Sequence, residues 1–191
     1  MTYRHQDNWD ITAYSDSDWG SDTMDRKSVL SVLLYVGKNL LDWSASKAGY
    51  SVALSSAEAE YYAMAEACKL ILAFRNLLTE ASRFASRTLF TPSPSVLLVD
   101  NEAARLFGMS VKTSKRLRHI DLKHFFVRDL VQDDVVTLVK VKTDFNRSDI
   151  NTKVLGSQRF EYLVPLVTGE VDLPHPLKDS SSLPVKMGPA R

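Results

Sequence analysis

The sequence predicts an α/β fold, a mixed β-sheet with helices packed against it. Three observations carry that expectation. Strand-like segments fill the first part of the chain, and at Ser55 the hydrophobic period switches to that of a helix. Between later helical stretches, Val96, Leu97, Leu98 and Val99 form an all-apolar run of the kind found in a strand buried on both faces.

Residues 9–16 alternate in polarity through Ile11, Ala13 and Ser15, then enter the cluster Asp16, Asp18, Trp19, Gly20, which reads as a strand running into a turn. Residues 28–36, rich in Val and Leu, and residues 40–44 flank Gly37-Lys38-Asn39, a short connection that predicts a hairpin. Ser55 followed by Glu58 forms a capping box, and the helix it opens runs to about Leu78 without an internal Gly or Pro. Thr91-Pro92-Ser93-Pro94 interrupts the pattern before the buried strand, and a short helix follows at 101–107. Residues 120–131 are helical, 135–141 form a β-branched strand, and 148–155 begin a last helix. A meander followed by a βαβα order makes the sheet mixed, because parallel neighbours need helical crossovers. One domain is expected over residues 1–169. Residues 170–191, with Pro174, Pro176, Pro184, Pro189 and the run Ser180-Ser181-Ser182, read as a flexible tail.

A composition of 45% hydrophobic and 25% charged residues is that of a globular chain, not a disordered one. The net charge of +1 is too small for the whole-molecule field to indicate a polyanionic partner, so any such argument rests on local clusters. A single cysteine, Cys68, excludes an intrachain disulfide and a Cys-rich zinc site and suits a reducing compartment. The longest apolar stretch, 29–36, falls short of the roughly 20 residues that span a bilayer, and the polar start lacks the apolar core of a secretory signal. A soluble intracellular protein is the expectation.

Carboxylates are the chemistry-bearing feature. Asp16 and Asp100 follow the first and fourth strands, where ligands collect in open α/β sheets; each taken singly also reads as a turn former or helix cap. Glu60 leads the helical stripe Met64, Ala67, Ile71, Phe74 and Leu78 and should face the sheet, where a carboxylate needs a cationic partner. Glu58 lies on a different line, through Tyr62, Ala65 and Lys69, and already has a capping role. Asp149 opens the last helix, a position the helix dipole alone would favour. Together the four acids describe an all-oxygen site for a hard cation such as Mg²⁺ rather than for zinc. Paired metals about 4 Å apart can support phosphodiester hydrolysis.

Several strings then match a known family in order and spacing. Tyr14-Ser15-Asp16-Ser17-Asp18-Trp19, Asp25-Arg26-Lys27-Ser28, Asp42-Trp43-Ser44 and Val52-Ala53-Leu54-Ser55-Ser56-Ala57-Glu58-Ala59-Glu60-Tyr61 resemble the ribonuclease H segment of copia-type LTR retrotransposon polyproteins. So do Asp100-Asn101, Arg118-His119-Ile120-Asp121 and Asp149-Ile150-Asn151-Thr152-Lys153. The resemblance covers about residues 14–155. It implies a ribonuclease H-like fold with a five-stranded mixed sheet, three antiparallel strands then two parallel, flanked by helices. It implies catalytic, metal-binding acids at Asp16, Glu60, Asp100 and Asp149, two Mg²⁺ ions for which Mn²⁺ substitutes, and cleavage of the RNA strand of an RNA–DNA hybrid. A reverse transcriptase domain of the same polyprotein is the implied partner, and a cytoplasmic virus-like particle, with passage to the nucleus, the implied location. The string Glu-Ala-Glu does not by itself choose between Glu58 and Glu60; the helical face and the following Tyr61-Tyr62-Ala63 favour Glu60. The segment 45–51 departs from the family by lacking its usual basic and glutamine residues, and 29–34 is more apolar than typical.

Lys112, Lys115, Arg116, Arg118 and His119 crowd one stretch and suit phosphate contact, while a solvated charged loop is the plainer reading. His119, His124, Glu58 and Asp18 are auxiliary candidates, the histidines because they titrate near neutrality. Trp19 and Trp43 are suited to stacking on nucleotides or to supporting the strand end. Two other classes stay open: a domesticated domain of this fold that binds nucleic acid or a polyprotein neighbour without cutting, and a phosphatase using Asp16-Ser17-Asp18, against which Trp19-Gly20 is the wrong continuation.

Overall fold

A computed structural model describes residues 1, 3–5, 9–21, 24, 26–48, 53–85, 88, 90, 93–110 and 121–171, with the side chains of 121–124 outside the description. Five strands form one sheet: β1 (Ile11–Asp18), β2 (Val29–Val36), β3 (Asn39–Lys47), β4 (Ser95–Val99) and β5 (Val136–Lys140), in the order β3-β2-β1-β4-β5. β1, β2 and β3 pair antiparallel, and β4 joins β1 and then β5 in parallel. The helices are α1 (Ser56–Phe84), α2 (Glu102–Met109), α3 (Asp121–Gln132), α4 (Asp149–Thr152) and α5 (Ser157–Val167), with a 3-10 turn at Thr143–Phe145 before α4. The expected mixed five-stranded sheet is therefore present.

Alternation along the strands divides the core in two. Ile11, Ala13, Val32, Leu34, Leu97 and Leu138 pack against α1, together with Phe107 of α2 and Phe126 and Leu130 of α3. Tyr14, Leu33, Tyr35, Val96 and Leu98 point to the opposite face, where Phe145, Ile150 and Val167 cover them. Burial on both faces explains why β2 reads as nearly continuous apolar sequence. Its hairpin to β3 turns at Gly37, whose φ of 56° lies in the left-handed region that glycine tolerates.

Several boundaries differ from the sequence expectation. β1 starts at Ile11 and continues past Asp16 to Asp18, because β2 keeps pairing with it through Asp18↔Val29. α1 runs beyond Leu78 to Phe84, since nothing in the sequence breaks the helix there. The last helix is one turn only, α4, and a second helix, α5, follows Gly156 where no element was expected. Pro165 sits inside α5, which is held by the burial of Leu163, Leu166 and Val167. The start of α1 is buried all round from Glu58 to Ala65 rather than along one stripe, because α2 and α3 pack beside it while the sheet lies beneath. Among the described residues no helix is long and apolar enough to cross a membrane.

Candidate metal centre

β1 and β4 define the place. Their parallel pairing ends at Tyr14↔Leu98, and both chains run on by the same two residues, to Asp16 and Asp100. Here β1 turns back to β2 on one side while β4 leads to β5 on the other, so the strand order reverses and a crevice opens at the carboxyl ends. Asp16 is thus not at the end of β1 as a whole but at the point where β4 stops accompanying it. Its alternation puts it on the face of Tyr14, which α4 covers.

Carboxylate oxygens of Asp16, Asp100 and Asp149 all lie within 4.8 Å of one another. Asp16 and Asp149 are buried and Asp100 is half-buried. Asp100 is not the cap of α2: the side chain of Asn101 takes that role, accepting from the Ala104 N–H at 3.0 Å. Asp149 is held at the start of α4 by a short tether. The buried Asn146 amide donates to the Ser15 carbonyl at 3.1 Å, and its oxygen accepts from Ser148 Oγ at 2.7 Å, which ties the segment before α4 to β1 beside Asp16.

Glu60 enters from the other side, on α1, at the head of the expected stripe of Met64, Ala67 and Ile71. Its Oε1 accepts from the Ser17 N–H at 3.3 Å, and Oε2 is buried without a hydrogen-bond partner among the described residues. Burial, reinforced by the charges of Asp16 and Asp100, raises its pKa to about 8. Asp16 is raised to about 6, again chiefly by burial, with Asp149 and Asp100 adding to the effect and the hydrogen bond from Thr152 and the charge of Lys153 opposing it. Glu58 is occupied elsewhere: it accepts from the Leu54 N–H at 2.7 Å and from the Tyr62 hydroxyl at 2.6 Å, one residue earlier along the chain than a standard capping box reaches. Asp18, the last residue of β1, is not in the acid cluster.

Two cations complete the cluster. Lys153 Nζ lies 2.6 Å from Asp149 Oδ1 and 3.2 Å from Asp16 Oδ1. Burial works against its charge, but the two carboxylates outweigh burial and raise its pKa above that of an ordinary lysine. Arg159 of α5 reaches Asp149 Oδ2 at 3.2 Å while donating to the backbone carbonyls of Thr143, at 2.8 Å, and Asp144. The Thr152 hydroxyl donates to Asp16 Oδ2. Neither Lys153, Arg159, Thr152 nor Asn146 was singled out as a site residue from sequence. Lys153 was within reach, four residues after Asp149 on a helix start. The spacing of Phe160, Leu163, Val164 and Val167 was the available signal for α5, and hence for Arg159.

Three aspartates thus converge with two cations on Asp16 and Asp149, and beside them Glu60 Oε2 has no hydrogen-bond partner among the described residues. An all-oxygen donor set with excess negative charge fits a hard divalent cation. Asp16, Asp100 and Asp149 form the group that could hold one; Glu60 lies beside it, close enough for Asp16 and Asp100 to raise its pKa, but is not part of the group whose oxygens lie within 4.8 Å. Trp19, half-exposed, donates its indole N–H to the Ala53 carbonyl at 2.9 Å and so braces the end of β1, while Trp43 is half-exposed on β3. Lys112, Lys115, Arg116, Arg118 and His119 lie outside the described residues, as does the side chain of His124.

Fold and carboxylate cluster together define a protein of the ribonuclease H-like fold. RNase H1 of the halophilic archaeon Halobacterium salinarum superposes with a TM-score of 0.53 at 15% identity, covering 74% of this chain and 93% of that one. Homologues of the chain include retrovirus-related Pol polyproteins of plant transposons. That of transposon RE2 of Arabidopsis thaliana is 34% identical over 151 residues, covering 79% of this chain, and that of transposon RE1 from the same plant is 32% identical over 151 residues, also 79%. The chain spans 10% of the length of each. No protein-family model matches the chain.

Proposed function

We propose that the chain is a divalent-metal-dependent ribonuclease H that hydrolyses the RNA strand of RNA–DNA hybrids, working as the nuclease segment of a copia-type retrotransposon polyprotein during reverse transcription. The observation that carries this reading is the convergence of Asp16, Asp100 and Asp149 within 4.8 Å at the reversal of strand order, with Glu60 bringing a buried, unpartnered oxygen from α1. Asp16, Glu60, Asp100 and Asp149 would hold the ions. Mg²⁺, when bound, supplies the charge that polarises a phosphodiester and lowers the pKa of an attacking water.

The protein's own residues set up that chemistry. Ser17 N–H orients Glu60, Thr152 orients Asp16, and Arg159 anchors Asp149, so the acids are aimed before any ion arrives. Burial removes competing water and keeps Glu60 and Asp16 reluctant to ionise alone, which ties their ionisation to the arrival of positive charge. Lys112, Lys115, Arg116, Arg118 and His119 contact the hybrid's phosphates in this reading, with recognition by shape and 2′-hydroxyls rather than base sequence. The reverse transcriptase domain of the same polyprotein would deliver the hybrid, inside a cytoplasmic particle.

The test is hydrolysis of an end-labelled RNA–DNA hybrid in Mg²⁺, with Asp16→Asn as the comparison. Internal cuts in the RNA strand alone, lost by about a thousandfold or more in Asp16→Asn, are the expected result. Binding of the hybrid without cleavage in Mg²⁺ or Mn²⁺ would indicate the domesticated domain instead. Release of phosphate from small phosphomonoesters would favour the Asp16-Ser17-Asp18 phosphatase.

A further inference from the structure

The acid cluster already contains a positive charge of its own, and its placement has a consequence for ion binding. Lys153 donates to Oδ1 of both Asp16 and Asp149, so its ammonium bridges the two carboxylates most deeply buried in the crevice. Arg159 also pairs with Asp149, but the two cations differ in how they are held. The Arg159 guanidinium is fixed by the backbone carbonyls of Thr143 and Asp144, which no incoming ion displaces. Lys153 makes its side-chain bonds to the two carboxylates, and its side chain is 35% exposed. A lysine ammonium is a compact, readily hydrated charge on a flexible stem, able to leave for solvent at little conformational expense.

Resting on the reading that these acids take divalent cations, we propose that Lys153 is a resident, exchangeable counter-ion that neutralises Asp16 and Asp149 in the ion-free protein and competes with a divalent ion for that pair. The lysine performs two tasks that pull in opposite directions. It keeps two buried carboxylates assembled when no ion is present, sparing the fold an uncompensated pair of like charges. It also opposes any cation that must share Asp16 and Asp149, because the ammonium has to withdraw before both oxygens are free. Asp100 and Glu60, which Lys153 does not contact among the described interactions, stand outside this competition.

Mn²⁺ binding to the intact chain, followed by calorimetry and by the loss of the free-ion paramagnetic resonance signal, tests this without any substrate. Wild type is compared with Lys153→Met, which keeps the length and removes the charge, and with Lys153→Arg, which keeps the charge. Lys153→Met should bind Mn²⁺ roughly tenfold more tightly or better, as expected for removing a unit charge a few ångströms from the ligands. Lys153→Arg should remain close to wild type. The tightening should vanish when Asp149→Asn is added, since the competed pair is then gone. In EDTA, Lys153→Met should melt at a lower temperature than wild type, and saturating Mn²⁺ should close that gap. If it does not fold without ions, Lys153→Gln, which can still donate to the carboxylates, carries the same comparison.

Equal or weaker Mn²⁺ affinity in the uncharged variants, with wild type binding normally, overturns the competition and leaves the divalent site standing. Failure of wild type and variants alike to bind Mn²⁺ overturns both the inference and the cation reading beneath it.

Discussion

Glu60→Gln isolates the cost of holding a carboxylate buried beside two other acids with no cation paired to it among the described residues. Glutamine keeps an oxygen for the Ser17 N–H and places an amide donor where Oε2 has no partner, near the acids Asp16 and Asp100. In the ion-free protein Glu60 is raised from 4.5 to about 8. The folded state therefore binds this proton more tightly than the unfolded chain. Its contribution to stability is complete below pH 4.5, declines as pH rises, and is lost once pH passes about 8. At about 1.4 kcal/mol per unit the full span amounts to about 5 kcal/mol, of which about 2 kcal/mol falls between pH 6 and 8. Asp16, raised only to about 6, adds little in that window. Urea denaturation in EDTA at pH 6 and pH 8 should show wild type losing about 2 kcal/mol more than Glu60→Gln over this interval. All other titratable groups are common to both proteins, so the difference between the two is the diagnostic quantity. At pH 8 saturating Mg²⁺ should stabilise wild type more than the variant, by linkage to the charged form. Parallel slopes for the two proteins would refute the burial argument, and equal Mg²⁺ stabilisation would remove Glu60 from the ion site.

Arg159→Ala removes donors to the Thr143 and Asp144 carbonyls and to Asp149 Oδ2, so it should lower stability by about 1–3 kcal/mol in equilibrium denaturation. Loss of the guanidinium charge favours an incoming ion while the looser placement of Asp149 opposes it, so the denaturation midpoint rather than Mg²⁺ affinity is the readout, and an unchanged midpoint would show that Asn146 suffices to hold the segment. Gly108→Ala sets a helix-propensity gain of about 1 kcal/mol against a Cβ lying 2.8 Å from Leu138 Cδ1 and 3.1 Å from Met64 Cε. Overpacking of about 1–3 kcal/mol should win, for a net loss near 1 kcal/mol read from the urea midpoint, whereas a gain would mean that Leu138 and Met64 have room to move. Met64→Ala, at a fully buried position on the sheet-facing side of α1, should cost about 2–5 kcal/mol in the same assay, and a smaller loss would mean that the core there collapses around the gap.

Much of this protein was legible in the residue string because its strands and helices carry strong periodic signals. The alternation before Asp16, the apolar run at 96–99 and the stripe led by Glu60 each specify a face, and faces are what a sheet with covering helices is assembled from. The sequence also singled out the three aspartates that the structure brings within 4.8 Å, and the helical face favoured Glu60 over Glu58, which the structure finds bonded to Leu54 and Tyr62. Tertiary structure decided the rest. Where β1 ends as a strand depended on how far β2 accompanies it, and where the crevice opens depended on β4 stopping at Leu98 in the β1 register, neither of which is a local property. α5 is held by burying Leu163, Leu166 and Val167 despite Pro165, a gain that exists only once the chain has folded around them, with Val167 packed among Tyr14, Leu33 and Tyr35 on the sheet. Lys153 and Arg159 belong to the site for the same reason. A side chain's charge is written in the sequence, but the partner it neutralises is chosen by folding, which sets residues 137 and 10 positions apart in two of these pairs within hydrogen-bonding distance.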